Sequence, residues 1–270
     1  MATSKQKPTG KIARKAGRRL TVVPYVVPQT RSRPEYRPLM IPTRWVKFII
    51  ALFLLPLCAA LTQTFFTALT HAAVTQRLWM AEPFWFFSLG SLLCLIAFFG
   101  LPRPVILYVF GHELTHVLGV LLTGGRVSRF HVGRHGGHII TNRSNVIVAL
   151  APYFFPIYSL VIIAVYGVLS IFYEMEPYGR LLYALIGATW TFHFVFTCWM
   201  ITKKQTDLTD HGTFFSLVLI YLMNLTLLSL MLILASPHFR FADFASDFVR
   251  NISNVSHQAV ELCERLRHAT

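Results

Sequence analysis

The sequence predicts an all-α polytopic membrane protein of about six transmembrane helices, with a small membrane-associated β-hairpin after the third. Three observations predict it. First, hydrophobic residues make up 54% of the 270 residues and charged residues only 13%. A soluble domain of this length carries about 25% charged residues, because even a large core needs a polar skin, so lipid is the expected solvent for most of this chain. Second, apolar runs recur at 46–69, 84–99, 105–122, 146–172, 181–201 and 214–235. Most reach the ~20 residues that cross ~30 Å of hydrocarbon. Third, residues 124–142, GGRVSRFHVGRHGGHIITN, match no helical period.

Residues 1–44 form a basic tail. Eleven of the 25 Lys and Arg residues lie between Lys5 and Arg44, with Glu35 as the only acid among them. Gly, Pro and polar residues without helical period predict a mostly disordered segment. Attached to an apolar span, the tail reads as cytoplasmic and facing anionic lipid, and nucleic acid is not an expected partner. The first twenty residues are polar, so the first span is expected to be its own insertion signal.

The transmembrane region is expected over 45–235. Pro102 and Pro104 separate the second run from the third. In 124–142, Val127, Phe130 and Val132 with a turn at Gly136–Gly137 predict a hairpin. Extended backbone at membrane depth must pair within protein or lie at the interface. Residues 236–270 interleave Phe239, Phe241, Phe244 and Phe248 with Arg240, Asp243, Asp247 and Arg250, which predicts an amphipathic segment on the membrane, the bundle or a partner. The basic tail places the N-terminus inside, and counting six spans would then put 124–142 outside. Yet that loop region carries Arg126, Arg129, Arg134 and Arg143, and short basic loops prefer the cytoplasm, which is where these loops are expected.

The third run, VILYVFGHELTHVLGVLL, holds His112, Glu113 and His116. Residues four apart share a helix face, so both imidazoles reach one metal ion. Ionisable groups inside a span cost about 2.5–3.5 kcal/mol each, and a cluster of three needs a compensating partner that a cation supplies. Glu113 is placed to move a proton from water to a leaving amine. A catalytic zinc takes three protein ligands. For the third, KKQTDLTDHGTFF offers Asp207, Asp210 and His211, with Asp210 also suited to cap the following helix. His193 reads as a hydrogen-bonded core histidine, and His131, His135 and His138 as loop residues whose spacing fits no standard site. Gly111 and Gly119, flanking HELTH, allow close helix approach. Cys58, Cys94 and Cys198 lie within apolar runs without CxxC spacing and read as buried small hydrophobes.

FGHELTH, then GGRVSRFHVGRHGG, then LTDHG, in that order, resemble the site-2 protease family of intramembrane zinc metalloproteases. The likeness covers about 105–220. It implies one zinc ion held by His112, His116 and Asp210, Glu113 as catalytic base, and membrane-spanning proteins as substrates. It also implies that the hairpin receives an unwound substrate segment. His211 stands between Asp210 and Gly212, where the family has aspartate followed directly by glycine. The competing expectation is a non-proteolytic metal-binding membrane protein, a transporter or an inactive protease-like chaperone.

Overall fold

The computed structural model describes residues 43–75, 77–134, 136–203, 205–236 and 240–268. The basic tail lies outside them, except Thr43 and Arg44, which open the first helix. His135 and Phe239 also lie outside. Helices α1 (Thr43–Val74), α2 (Glu82–Gly100) and α3 (Val105–Leu122) precede the hairpin of β1 (Val127–Gly133) and β2 (Gly136–Thr141). After it come α4 (Val146–Leu150), α5 (Ile157–Phe172), α6 (Gly179–Ile201), α7 (Thr206–His211), α8 (Thr213–Ala235) and α9 (Phe241–His268). Among the described residues, five segments are long and apolar enough to cross a membrane: α1, α2, α3, Glu176–Ile201 and α8.

The fourth apolar run departs from the expectation of one helix. It is broken into Val146–Tyr153 and Ile157–Phe172, bent by 81°, and makes a sixth span only if the bent pair is taken as one. Proline is the reason. Pro152 and Pro156 lack the N–H that would extend a helix, and each disfavours helical backbone in the residue before it. Asn145 starts the short first piece, its side chain accepting from Val148 N–H at 2.8 Å.

Helix α2 runs parallel to α6 with almost no side chain between them. A Cβ on Gly90 would fall 1.9 Å from the Ala184 carbonyl oxygen, and one on Gly187 would fall 2.1 Å from that of Phe87. Such contacts suit helices in lipid, where dispersion and polar contacts at short range replace the hydrophobic effect. Ser91 Oγ adds a hydrogen bond to the Gly187 carbonyl, and Glu82 pairs with Arg180 at one end. Elsewhere Leu61, Ala68 and Ala72 of α1 meet Leu225 and Leu232 of α8. The amphipathic C-terminal segment forms α9, which seats Phe244 in that cluster and binds Thr64 of α1 through Asn251 at 2.9 Å.

The hairpin is present, but its turn is not at Gly136–Gly137. Gly133 pairs with Gly136 and Val132 with Gly137, so both glycines belong to β2. The strands lie against α3, where Phe130 meets Phe110 edge-on at 5.9 Å. Gly111 and Gly119 do permit close approach: the nearest atoms to a Cβ there are the Tyr158 ring at 2.7 Å and Val148 at 3.5 Å.

The backbone contact of α2 with α6 generates a stability prediction. Gly187→Val drives the helices apart and is expected to cost about 1–3 kcal/mol, lowering the thermal midpoint in detergent by roughly 2–10 °C. An unchanged midpoint in a thermal-shift measurement would contradict that packing.

Candidate metal centre

Three side chains converge at the middle of α3. His112 and His116 share one face, their rings 4.9 Å apart and nearly perpendicular. Asp207 Oδ2, from α7, lies 3.4 Å from His112 Nε2 and 3.7 Å from His116 Nε2. Ligand atoms of the three residues all fall within 4.8 Å of one another. Two imidazoles and a carboxylate at this separation are a donor set that could hold one metal ion.

The outer nitrogens of both rings are held. His116 Nδ1 donates to the Val148 carbonyl at 2.9 Å, and His112 Nδ1 lies 3.4 Å from the Tyr108 hydroxyl. A ring that donates from Nδ1 keeps the Nε2 lone pair for a metal. Val148 can accept because its helical donor, the N–H of the residue four further on, does not exist: that residue is Pro152. Asp207 is fixed by Tyr153, whose hydroxyl donates to Oδ2 at 3.1 Å. Burial alone would raise the Asp207 carboxyl, but the two imidazoles facing it outweigh burial and hold the group below the ordinary carboxylate range.

The carboxylate that the fold brings to the two histidines is Asp207; Asp210, expected as the third ligand, is not among the three residues. Leu208 is buried against Leu150, Tyr153 and Ile220, and this anchors α7 with Asp207 at the cavity, while Asp210 is exposed. Nor does Asp210 cap α8. That position is Gly212, whose φ of 89° breaks the chain between α7 and α8. His211 is engaged elsewhere, its Nδ1 accepting from Lys47 Nζ at 2.8 Å.

Glu113 is buried and lines a cavity of about 470 Å³ together with His112, His116, Asp207, Gly137 and His138. The hairpin covers this carboxylate closely. A Cβ on Gly137 would lie 2.5 Å from Glu113 Cγ, 2.8 Å from its Oε1 and 2.8 Å from the His131 carbonyl oxygen. Any side chain at 137 must displace the glutamate or part the strands. His138 faces His131 across the hairpin, with ring centroids 5.3 Å apart. His193 is buried as expected, but its Nε2 has no hydrogen-bond partner among the described residues. Sequence reasoning missed Tyr153, Val148 and Tyr108. The signal was the proline pattern of APYFFP, which frees a carbonyl and sets a tyrosine beside it.

The chain matches no protein-family model, no curated protein and no solved structure. Any functional reading therefore rests on this geometry and on the sequence motifs.

If Asp207 completes the donor set, Asp207→Ala purified in detergent should lose most of its zinc, whereas Asp210→Ala should keep a stoichiometric amount. Elemental analysis of both distinguishes the two carboxylates, and zinc loss confined to Asp210→Ala would reverse the assignment.

Proposed function

We propose that the chain is an integral, multi-pass membrane protein that hydrolyses peptide bonds of membrane-spanning proteins at one zinc ion. The observation that carries this reading is the meeting of His112, His116 and Asp207 around one point, with Glu113 buried in the same cavity. The apolar helices support the membrane setting. The spacing of the donors supports zinc, and the resemblance of the motifs to site-2 proteases supports proteolysis.

Zinc bound there supplies Lewis acidity toward a carbonyl group and toward water. The chain's own residues do the rest. His112 and His116 present neutral Nε2 atoms, and Asp207 adds the negative charge. Glu113, free of any ligand role, takes a proton from the attacking water and returns it to the leaving amine. Burial beneath Gly137 confines it to the cavity side of α3. A transmembrane substrate has its carbonyls engaged in helical hydrogen bonds, so attack requires an extended segment. The two-stranded sheet has outer edges on which such a segment can pair. A non-catalytic metal carrier would have no use for a buried glutamate beside the ligands, and Glu113 therefore favours the enzyme over the transporter or chaperone.

Two substitutions test the assignment in proteoliposomes carrying a transmembrane substrate. Glu113→Gln is expected to retain zinc and lose cleavage by about 10²-fold or more. Equal cleavage would remove Glu113 from the mechanism. Gly137→Ala is expected to retain zinc and lose cleavage by at least roughly tenfold, because a displacement of about 1 Å at the reacting groups has that consequence. Full activity would show that the hairpin does not fix the glutamate.

A further inference from the structure

We propose that the groove between the first turns of α3 and the hairpin tip binds an anionic phospholipid. The inference rests on the membrane reading above and is independent of catalysis. The groove has a volume of about 770 Å³. Its floor is apolar, formed by Ile106, Leu107, Phe110 and Val132, and its polar groups include Arg103 and Arg134. Among the described residues it carries no acidic side chain. Helix α3 separates it from the metal centre, to which Tyr108, Val109 and His112 of the same helix belong.

The charge pattern selects the occupant. Neither guanidinium has an ion pair or hydrogen bond among the described residues. Arg103 lies instead over two aromatic faces, 4.8 Å from the Phe98 centroid and 5.2 Å from that of Trp199. Lys203 lies 5.4 Å from the same indole. Stacking orients a guanidinium without consuming its N–H donors, and the planar fork matches phosphate oxygens. Both arginines sit where elements end, Arg103 in the link between α2 and α3 and Arg134 at the hairpin turn, which is where headgroups lie. Trp199, near the end of α6, is the residue type that favours this interface. The apolar floor then takes an acyl chain. A substrate helix fits less well: at ~10–12 Å across, 770 Å³ would hold only about one and a half turns of it. Basic sites between transmembrane helices are known to take phospholipid headgroups.

The test reads Trp199 alone, as the difference in fluorescence between the full chain and Trp199→Phe. Both are reconstituted in phosphatidylcholine vesicles containing increasing fractions of phosphatidylglycerol or phosphatidylcholine brominated on the acyl chain. Brominated phosphatidylglycerol is expected to quench Trp199 at a lower fraction than the zwitterionic lipid. Arg134→Gln, at an exposed turn that leaves the helices intact, should raise the half-quenching fraction roughly fivefold, and addition of Arg103→Gln should bring the shift beyond about tenfold. Arg180→Gln, at the opposite end of α6, should leave it unchanged. Equal quenching by the two lipids overturns the proposal, as does a preference that survives both substitutions. Capture of a transmembrane peptide by a photo-crosslinker at Phe110, undiminished by phosphatidylglycerol, also overturns it. Neither metal content nor cleavage enters the readout, so failure of the protease reading leaves this test intact.

Discussion

The hydrogen bond from His116 Nδ1 to the Val148 carbonyl, 2.9 Å long, fixes the geometry on which the metal centre depends. It exists because Pro152 has no N–H with which to claim that carbonyl. An unbroken helix over the fourth apolar run would saturate Val148, leaving the imidazole outer nitrogen unpaired in a buried setting. The residue after Pro152 completes the arrangement. Tyr153 is fully buried, its ring meets His112 edge-on at 5.3 Å, and its hydroxyl holds Asp207. A single short segment, Val146–Tyr153, thus orients one histidine through its backbone and the aspartate through a side chain. Partners of this kind commonly change metal affinity by 10–100-fold, so the broken helix is as much part of the site as HELTH.

The surrounding helices make this polar cluster tolerable. His112, Glu113, His116 and Asp207 each carry a desolvation cost that rises with distance from water. Hydrogen bonds from Tyr153 and to Val148 offset part of it, and a cation offsets more. What remains is a cavity of about 470 Å³, roomy enough to hold water beside the glutamate. The hairpin closes that cavity over Glu113 with a glycine rather than a side chain. This explains why the turn sits two residues earlier than the Gly-Gly pair suggests: Gly137 lies in the strand, facing the carboxylate, and the turn follows Gly133 instead.

Much of this was legible in the sequence. Helix α3 matches the third apolar run residue for residue, because Pro104 and the Gly124–Gly125 pair bound it with strong local chemistry. The pairing of His112 with His116 follows from helical spacing alone. The hairpin's strands were legible, since alternation of Phe130 and Val132 survives whatever the turn does. Three things were not. The break at Phe154 lay hidden inside a run whose composition is apolar throughout, where hydropathy cannot see direction. The turn needed the neighbour Glu113 to place it. The choice of Asp207 over Asp210 depended on Leu208, whose burial against Leu150 and Ile220 is a tertiary fact. Both aspartates lie within α7, and local propensity singles out Asp210, as a cap for the following helix, over Asp207.

Contacts also show which segments share an end of the bundle. Lys47, one turn into α1, donates to His211 in α7, so the start of α1 and the Asp207 segment lie at one end of the bundle. Arg103, after α2, lies against Trp199 near the end of α6, which brings the α2–α3 link to that end as well. Lys203 lies on the same indole. The parallel pairing of α2 with α6 requires their starting ends to lie together at the other, where Glu82 meets Arg180 and where Glu176 precedes α6. The hairpin folds back along α3, so that Arg134 at its tip lines one groove with Arg103 just before that helix. Read from contacts, Arg44, Lys47, Arg103 and Lys203 gather at the end that holds Asp207, while the acids Glu82 and Glu176 gather opposite. On the membrane reading proposed above, the excess of positive charge favours the cytoplasm for the end that holds Asp207. The same excess places the arginines of the α3 groove against the leaflet in which anionic headgroups are concentrated.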